Sequence, residues 1–64
     1  MTQRTRTELE SMIDELHREA ARELALAADS EARFPWRRHD ARIYRERAEV
    51  ALQSVKHLEQ ELAA

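Results

Sequence analysis

The chain has 64 residues, of which 38% are charged and 42% apolar, with a formal net charge of −2 and neither glycine nor cysteine. Zero cysteine excludes disulfides, zero glycine removes the usual residue of phosphate-binding loops, and the slight negative charge shows no general preference for nucleic acid. A chain this short buries only about 60% of the surface that its unfolded form exposes. We therefore expect this small protein to gain stability by association.

An amphipathic first helix is predicted over about residues 5–28. Thr5 or Thr7 can cap its start, and Glu8 falls in the first turn, where a carboxylate favours the positive end of the helix dipole. Met12 lies beside the apolar stripe. The residues of that stripe recur at steps of three and four, and they are Leu9, Ile13, Leu16, Ala20, Leu24 and Ala27.

A turn is predicted over about residues 29–34, followed by Pro35 as the first residue of the second helix. Asp29 and Ser30 suit a helix exit, and the residue before a proline is biased away from the helical region. Proline itself is favoured at the first helical position. One long helix kinked at Pro35 is the alternative, but a proline inside a continuous helix costs about 3 kcal/mol.

The second helix, predicted over about residues 35–63, carries two apolar series. The first alternates steps of three and four, as in a coiled-coil seam, and comprises Ala41, Tyr44, Ala48, Ala51, Val55, Leu58 and Leu62. The other recurs every seven residues, at Trp36, Ile43, Val50 and His57, roughly 100° around the helix from the seam. A single antiparallel helix covers one seam, so the second series predicts further helices from another chain.

The predicted fold is all-α, a single antiparallel two-helix hairpin over residues 1–64. It is expected to assemble as a dimeric four-helix bundle or to dock on a helical partner. Folding the chain back sets the bulkier apolar residues at the open end and alanines near the turn. Those alanines either let the two backbones approach closely or leave a shallow docking surface, and they are Ala20, Ala27, Ala41 and Ala48.

A basic segment of the second helix raises the possibility of nucleic-acid binding. Arg38, Arg42 and Arg45 share one helix face that suits phosphate contacts. The competing interpretation is ordinary pairing with the acidic residues Glu19, Glu23 and Asp29 of the first helix.

No catalytic site, cofactor or metal site is predicted. His17 and His57 lie about ten residues apart along an antiparallel hairpin, or roughly 15 Å, so one chain cannot bring them to one ion. Ser54 precedes His57 by three residues, but a shared helix face is not a catalytic triad. We expect a cytoplasmic protein without enzyme activity, without a metal and without a membrane partner.

The sequence favours a non-enzymatic helical protein–protein interaction module, meaning a self-associating bundle, an adaptor or a small chaperone-like subunit. Trp36→Ala is expected to weaken association by about 2 kcal/mol or more if that ring anchors the interface. The alternative function is a nucleic-acid-binding regulator that uses Arg38, Arg42 and Arg45. The predicted partner-binding residues are Trp36, Ile43, Tyr44, Val50, Val55, Leu58 and Leu62.

In length and layout the chain resembles the Rop family of small plasmid RNA-binding proteins, which are two-helix hairpins that dimerise into a four-helix bundle. The resemblance covers the whole chain and implies a homodimer. Proteins of that family bind RNA through the outward face of the first helix, which here carries Glu10, Asp14, Glu15 and Arg18. The layout is equally similar to small hairpin co-chaperones of type III secretion, which cover the helices of a partner protein.

Overall fold

The structure is a computed structural model that describes residues 4–64. Helix α1 (Arg6–Arg33) and helix α2 (Arg38–Ala63) pack antiparallel, with no strand among the described residues, in a rod of 47 × 18 × 14 Å. The predicted all-α hairpin is confirmed, and the alternative of one kinked helix is wrong. The first three residues of the predicted hairpin lie outside the described range.

Helix α1 starts where local capping signals place it. The Thr5 hydroxyl oxygen accepts a hydrogen bond of 3.1 Å from the backbone N–H of Glu8, so Thr5 and not Thr7 is the cap. This bond satisfies one of the donors that a helix start leaves without an intrahelical partner. The carboxylate of Glu8 adds a favourable interaction with the helix dipole.

The predicted end of α1 at residue 28 is wrong, because the helix continues to Arg33. Asp29 forms an ion pair of 2.9 Å with Arg33 one turn later, and Ser30 is buried. Both residues therefore extend the helix instead of ending it. The backbone N–H of Phe34 then donates to the carbonyl of Ser30 at 2.7 Å and closes the helix.

The turn accordingly spans residues 34–37 and not 29–34. The N–H of Arg37 donates to the carbonyl of Phe34 at 2.8 Å, which encloses Pro35 and Trp36 in the turn. Pro35 is therefore not the first residue of α2, which begins at Arg38. Arg37 is the N-cap and makes no side-chain capping hydrogen bond, since a guanidinium has donors only.

Small residues dominate the contact between the helices. Ala41 and Ala48 are only 1% exposed, and Ala20, Ala48 and Ala51 form one buried cluster with Leu16 against it. Side chains this small let two helix backbones approach closely. The alanine end is thus packed within the hairpin, and the predicted shallow docking surface there is wrong.

One member of the predicted α1 stripe lies off the seam. Leu24 is 47% exposed, whereas Glu23 is half-buried and Ala27 is buried. After Ala20 the buried positions advance by three, four and three residues, so the seam passes through Glu23 and continues to Ser30.

Candidate functional site

The main candidate site is an open groove of about 490 Å³ along one side of the hairpin. Its apolar residues come from both helices. The groove is lined by Leu16, Glu19, Ile43, Glu46, Arg47, Val50, Ala51 and Ser54. A second concavity of about 340 Å³ adjoins it and shares Leu16 and Glu19, and its other lining residues are Met12, Glu15 and Arg22. We call the residues that line these two concavities the groove face.

The groove exists because large and small side chains alternate on this side. Ile43 and Val50 are seven residues apart and lie on the same side of α2. Ala51 beside them is buried and short, so it forms part of the floor of the groove. Val50 consequently stands above this floor with 64% of its surface exposed, although its side chain is branched and apolar.

Charges of both signs border the apolar part of the groove face. Glu19 on α1 and Arg47 on α2 line the same concavity. Glu46 accepts a hydrogen bond of 3.2 Å from Arg42 through Oε1. The groove face therefore combines an apolar floor with a rim that is neither wholly acidic nor wholly basic.

One carboxylate near this face is poorly satisfied. The Oε2 atom of Glu23 is buried and has no hydrogen-bond partner within residues 4–64. A buried acceptor without a donor costs about 1–3 kcal/mol relative to its hydrated state. Glu23 thus occupies the seam at the expense of stability.

The predicted partner-binding residues fall into three environments. Ile43 and Val50 line the groove. Val55 and Leu58 are buried within the hairpin, so they belong to the intrachain contact and not to an open surface. The half-buried Tyr44 and Leu62 occupy the predicted seam of α2.

Trp36 is exposed at the tip of the hairpin and lies outside α2. The residue is 73% exposed, and its ring meets the Phe34 ring edge-on, with centroids 5.8 Å apart and planes at 83°. The Arg37 guanidinium lies 4.8 Å from the centroid of the Phe34 ring, a cation–π contact. Because α2 begins at Arg38, the predicted seven-residue series starts at Ile43 and not at Trp36.

The predicted phosphate-binding arginines are partly engaged by carboxylates. Arg42 pairs with Glu46, and Arg45 pairs across the hairpin with Glu31. Arg38 is exposed on the first turn of α2. Among the described residues, no ion pair joins α2 to the predicted partners Glu19, Glu23 or Asp29. Asp29 pairs with Arg33 of its own helix, and the α1 partner of the basic segment is Glu31.

The other side of the hairpin carries a smaller and more polar concavity of about 370 Å³. Its residues come mainly from α2, and they are His17, Glu49, Leu52, Gln53, Val55, Lys56 and Glu59. Over residues 4–64, no group of three or more His, Asp or Glu side chains is placed to hold a metal ion. No helix in that range combines the length and apolarity that a membrane crossing needs.

The sequence reasoning missed the α1 side of the groove. Leu16 was expected in the seam, and Glu19 was considered only as an internal ion-pair partner. The useful signal was the seven-residue spacing of Met12 and Glu19 on α1, which matches the Ile43 and Val50 spacing on α2.

No known protein family matches the chain, and neither the curated proteins nor the solved structures include a significant match.

Proposed function

We propose that the protein is a non-enzymatic helical interaction module that buries the groove face against helices of another chain. The observation that carries this proposal is the exposure of Val50 above a floor formed by Leu16 and Ala51. Removing apolar surface from water stabilises an interface by roughly 25 cal/mol per Å². A helix with apolar knobs fits such a groove through ordinary knobs-into-holes packing.

The total exposed area also supports association. The chain exposes 5401 Å² at a mass of 7.6 kDa, whereas a compact monomer of this mass exposes about 4,300 Å² by the usual scaling of surface with mass. The excess is larger than the roughly 800 Å² that each partner buries in a standard protein interface. A single hairpin is one layer of helices, and a second layer would cover one side of it.

A nucleic-acid-binding regulator is the alternative function. The observation in its favour is the exposed Trp36 ring beside Arg37 and Arg38, since an aromatic ring can stack on a base. Arg42 and Arg45 would have to leave their carboxylate partners to contact phosphates. Binding that fades steeply with added salt would support this function, and no binding of RNA or DNA at low salt would reject it.

The first test is the molar mass of the purified chain by light scattering over a concentration series, after nuclease treatment, with circular dichroism on the same samples. Val50→Asp places a charge in the groove, so it should shift the population towards monomer. The helicity measured at low protein concentration should stay unchanged. Leu52→Asp is the matched control, since Leu52 is exposed in the concavity on the other side of the hairpin. Equal effects of the two substitutions would contradict a role for the groove face.

A further inference from the structure

We propose that the tip of the hairpin, residues 33–38, docks on an anionic lipid surface and inserts the side chains of Phe34 and Trp36 among the headgroups. This inference goes beyond the proposed function, because the tip and the groove face are different surfaces. Sequence reasoning expected no membrane partner and placed Trp36 in an apolar series of α2. The turn at residues 34–37 instead leaves Trp36 at one end of a rod 47 Å long, where a flat surface can meet it.

The tip is apolar where a turn is normally polar. Phe34, Pro35 and Trp36 follow one another and are all exposed, Trp36 at 73%. Connections between helices are usually built from polar residues together with glycine and proline. None of these three residues belongs to the buried core. The packing of the two helices therefore does not account for the two aromatic rings, whereas contact with another surface does.

The aromatic rings and a guanidinium form one cluster at the tip. The rings of Phe34 and Trp36 meet edge-on, and the Arg37 guanidinium lies over the Phe34 ring. Tryptophan is enriched at the boundary between membrane and water because it combines a large apolar ring with a polar N–H group. Arginine can lay its aliphatic stem against apolar groups while its charge stays near water. The cluster thus has the side chains that a headgroup layer accommodates.

The charge of the tip is opposite in sign to that of the whole chain. The tip has three arginines and no carboxylate, a charge of +3, while the chain carries −2, so the remaining residues carry −5. Arg33 and Arg37 have exposed carboxylate partners, and such pairs are weak. Arg38 takes part in no ion pair within residues 4–64. A negative surface attracts the tip and repels the rest of the rod, which favours an approach with the tip first.

A lipid surface fits the tip better than nucleic acid does. Single-stranded nucleic acid is bound by several rings on which successive bases stack along a basic groove. The planes of Phe34 and Trp36 lie at 83° to each other, so the two rings cannot stack on neighbouring parallel bases. A headgroup layer imposes no such orientation and needs no complementary pocket. Reversible attachment to a membrane requires an apolar insertion together with a basic patch, and the tip has both.

The fluorescence of Trp36 tests this proposal directly, because it is the only tryptophan in the chain. Vesicles of phosphatidylcholine with roughly 30% phosphatidylserine present a negatively charged surface. They should shift the Trp36 emission to shorter wavelength, since the indole leaves water, and brominated phosphatidylcholine in the same vesicles should quench it. Vesicles of phosphatidylcholine alone should give a much smaller shift. Added salt should weaken binding to the charged vesicles because it screens the arginines.

Co-sedimentation with the charged vesicles tests the aromatic residues. Trp36→Ala should weaken binding by about tenfold or more, the factor expected when a large apolar side chain no longer leaves water. Phe34→Ala should also weaken binding. Leu52→Ala is its matched control, because Phe34 and Leu52 are both 38% exposed but Leu52 lies away from the tip. The helicity of all three variants should match that of the wild type, since the substituted residues are exposed.

The contribution of charge is tested with two arginines. Arg38→Gln should weaken vesicle binding about fivefold, the factor that corresponds to one basic residue near an anionic surface. Arg18→Gln is the matched control, because Arg18 is also exposed and in no ion pair within residues 4–64. It lies about 22 Å along α1 from Arg33, at 1.5 Å per residue, so its removal should have little effect.

The possible results either support the proposal or overturn it. An emission shift with the charged vesicles, and selective losses in Trp36→Ala and Arg38→Gln, would support it. No shift and no co-sedimentation at low salt would overturn it, and a single-stranded oligonucleotide that then quenches the emission without shifting it would assign the tip to nucleic acid. Equal binding to uncharged vesicles would overturn the preference for an anionic surface. Binding that survives Trp36→Ala would overturn the tip as the docking site.

Discussion

Alanine side chains at the centre of the seam determine how closely the two helices approach. Ala48 is almost completely buried and packs in the cluster with Ala20 and Ala51. Ala48→Leu adds three carbons where there is no space, so we expect the free energy of unfolding to fall by about 1–3 kcal/mol. Urea denaturation measures this, with Ala25→Leu on the exposed side of α1 as the control. Equal stability of the two variants would contradict tight packing at the seam.

The buried acceptor of Glu23 predicts a stabilising substitution. Glu23→Leu removes the oxygen that lacks a partner and adds apolar surface at a seam position. We expect the free energy of unfolding to rise by about 1 kcal/mol, near the lower end of the cost of an unsatisfied buried polar group. The control Asp14→Leu, on the exposed side of α1, should change the free energy of unfolding by no more than about 0.5 kcal/mol. A loss of stability in Glu23→Leu would show that the carboxylate makes a favourable interaction.

At the scale of the helices, the two N-termini differ in how they are capped. Thr5 caps α1 through its hydroxyl oxygen, whereas Arg37 provides no side-chain cap for α2. Thr5→Ala should lower the free energy of unfolding by about 1 kcal/mol, because it leaves the N–H of Glu8 without its partner. Thr7→Ala, inside the helix, serves as the control in the same thermal denaturation. A larger effect at Thr7 would contradict the assignment of the cap.

Local signals predicted the elements but not all of their limits. The start of α1 follows from a capping residue and an acidic first turn, which act within a few residues. The end of α1 was predicted too early because Asp29 and Ser30 suit a turn as well as a helix, and only the ion pair with Arg33 and the burial of Ser30 decide between these states. Pro35 constrains the residue before it and does not force a new helix to begin.

The groove could be predicted on one helix only. Seven-residue spacing identified Ile43 and Val50 correctly as one side of α2. The position of Leu16 and Glu19 opposite them depends on how α1 is rotated against α2, which is a property of the packed pair. The same rotation places Glu23 in the seam and leaves Leu24 partly exposed. Hydrophobicity alone predicts the reverse, with Leu24 in the seam and Glu23 exposed.

At the scale of the whole molecule, we expect the exposed tip and the groove face to contribute differently to assembly. Trp36 lies in the turn and does not line the groove, so we expect Trp36→Ala to change the dissociation constant of the assembly by less than about threefold. Sedimentation over a concentration series measures this beside Val50→Asp. A loss of about 2 kcal/mol or more, as sequence reasoning anticipated for an anchor, would place the turn in the interface.

The melting behaviour of the assembly gives a separate prediction. If the groove face binds a second copy, the melting temperature of the wild-type chain should rise with protein concentration, because mass action favours the associated state. Val50→Asp should remove most of this dependence, whereas Leu52→Asp should retain it. A wild-type melting temperature that is the same at all concentrations would contradict self-association.

The alanine seam also has a calorimetric consequence. The heat capacity change of unfolding follows the apolar area that becomes exposed, and a seam of alanines contributes little of it per residue. An isolated hairpin should therefore have a shallow stability curve and a broad heat-absorption peak. Burying the groove face would add apolar area at the same time in both copies and sharpen that peak. Cooperative unfolding would then be a property of the assembly more than of the single chain.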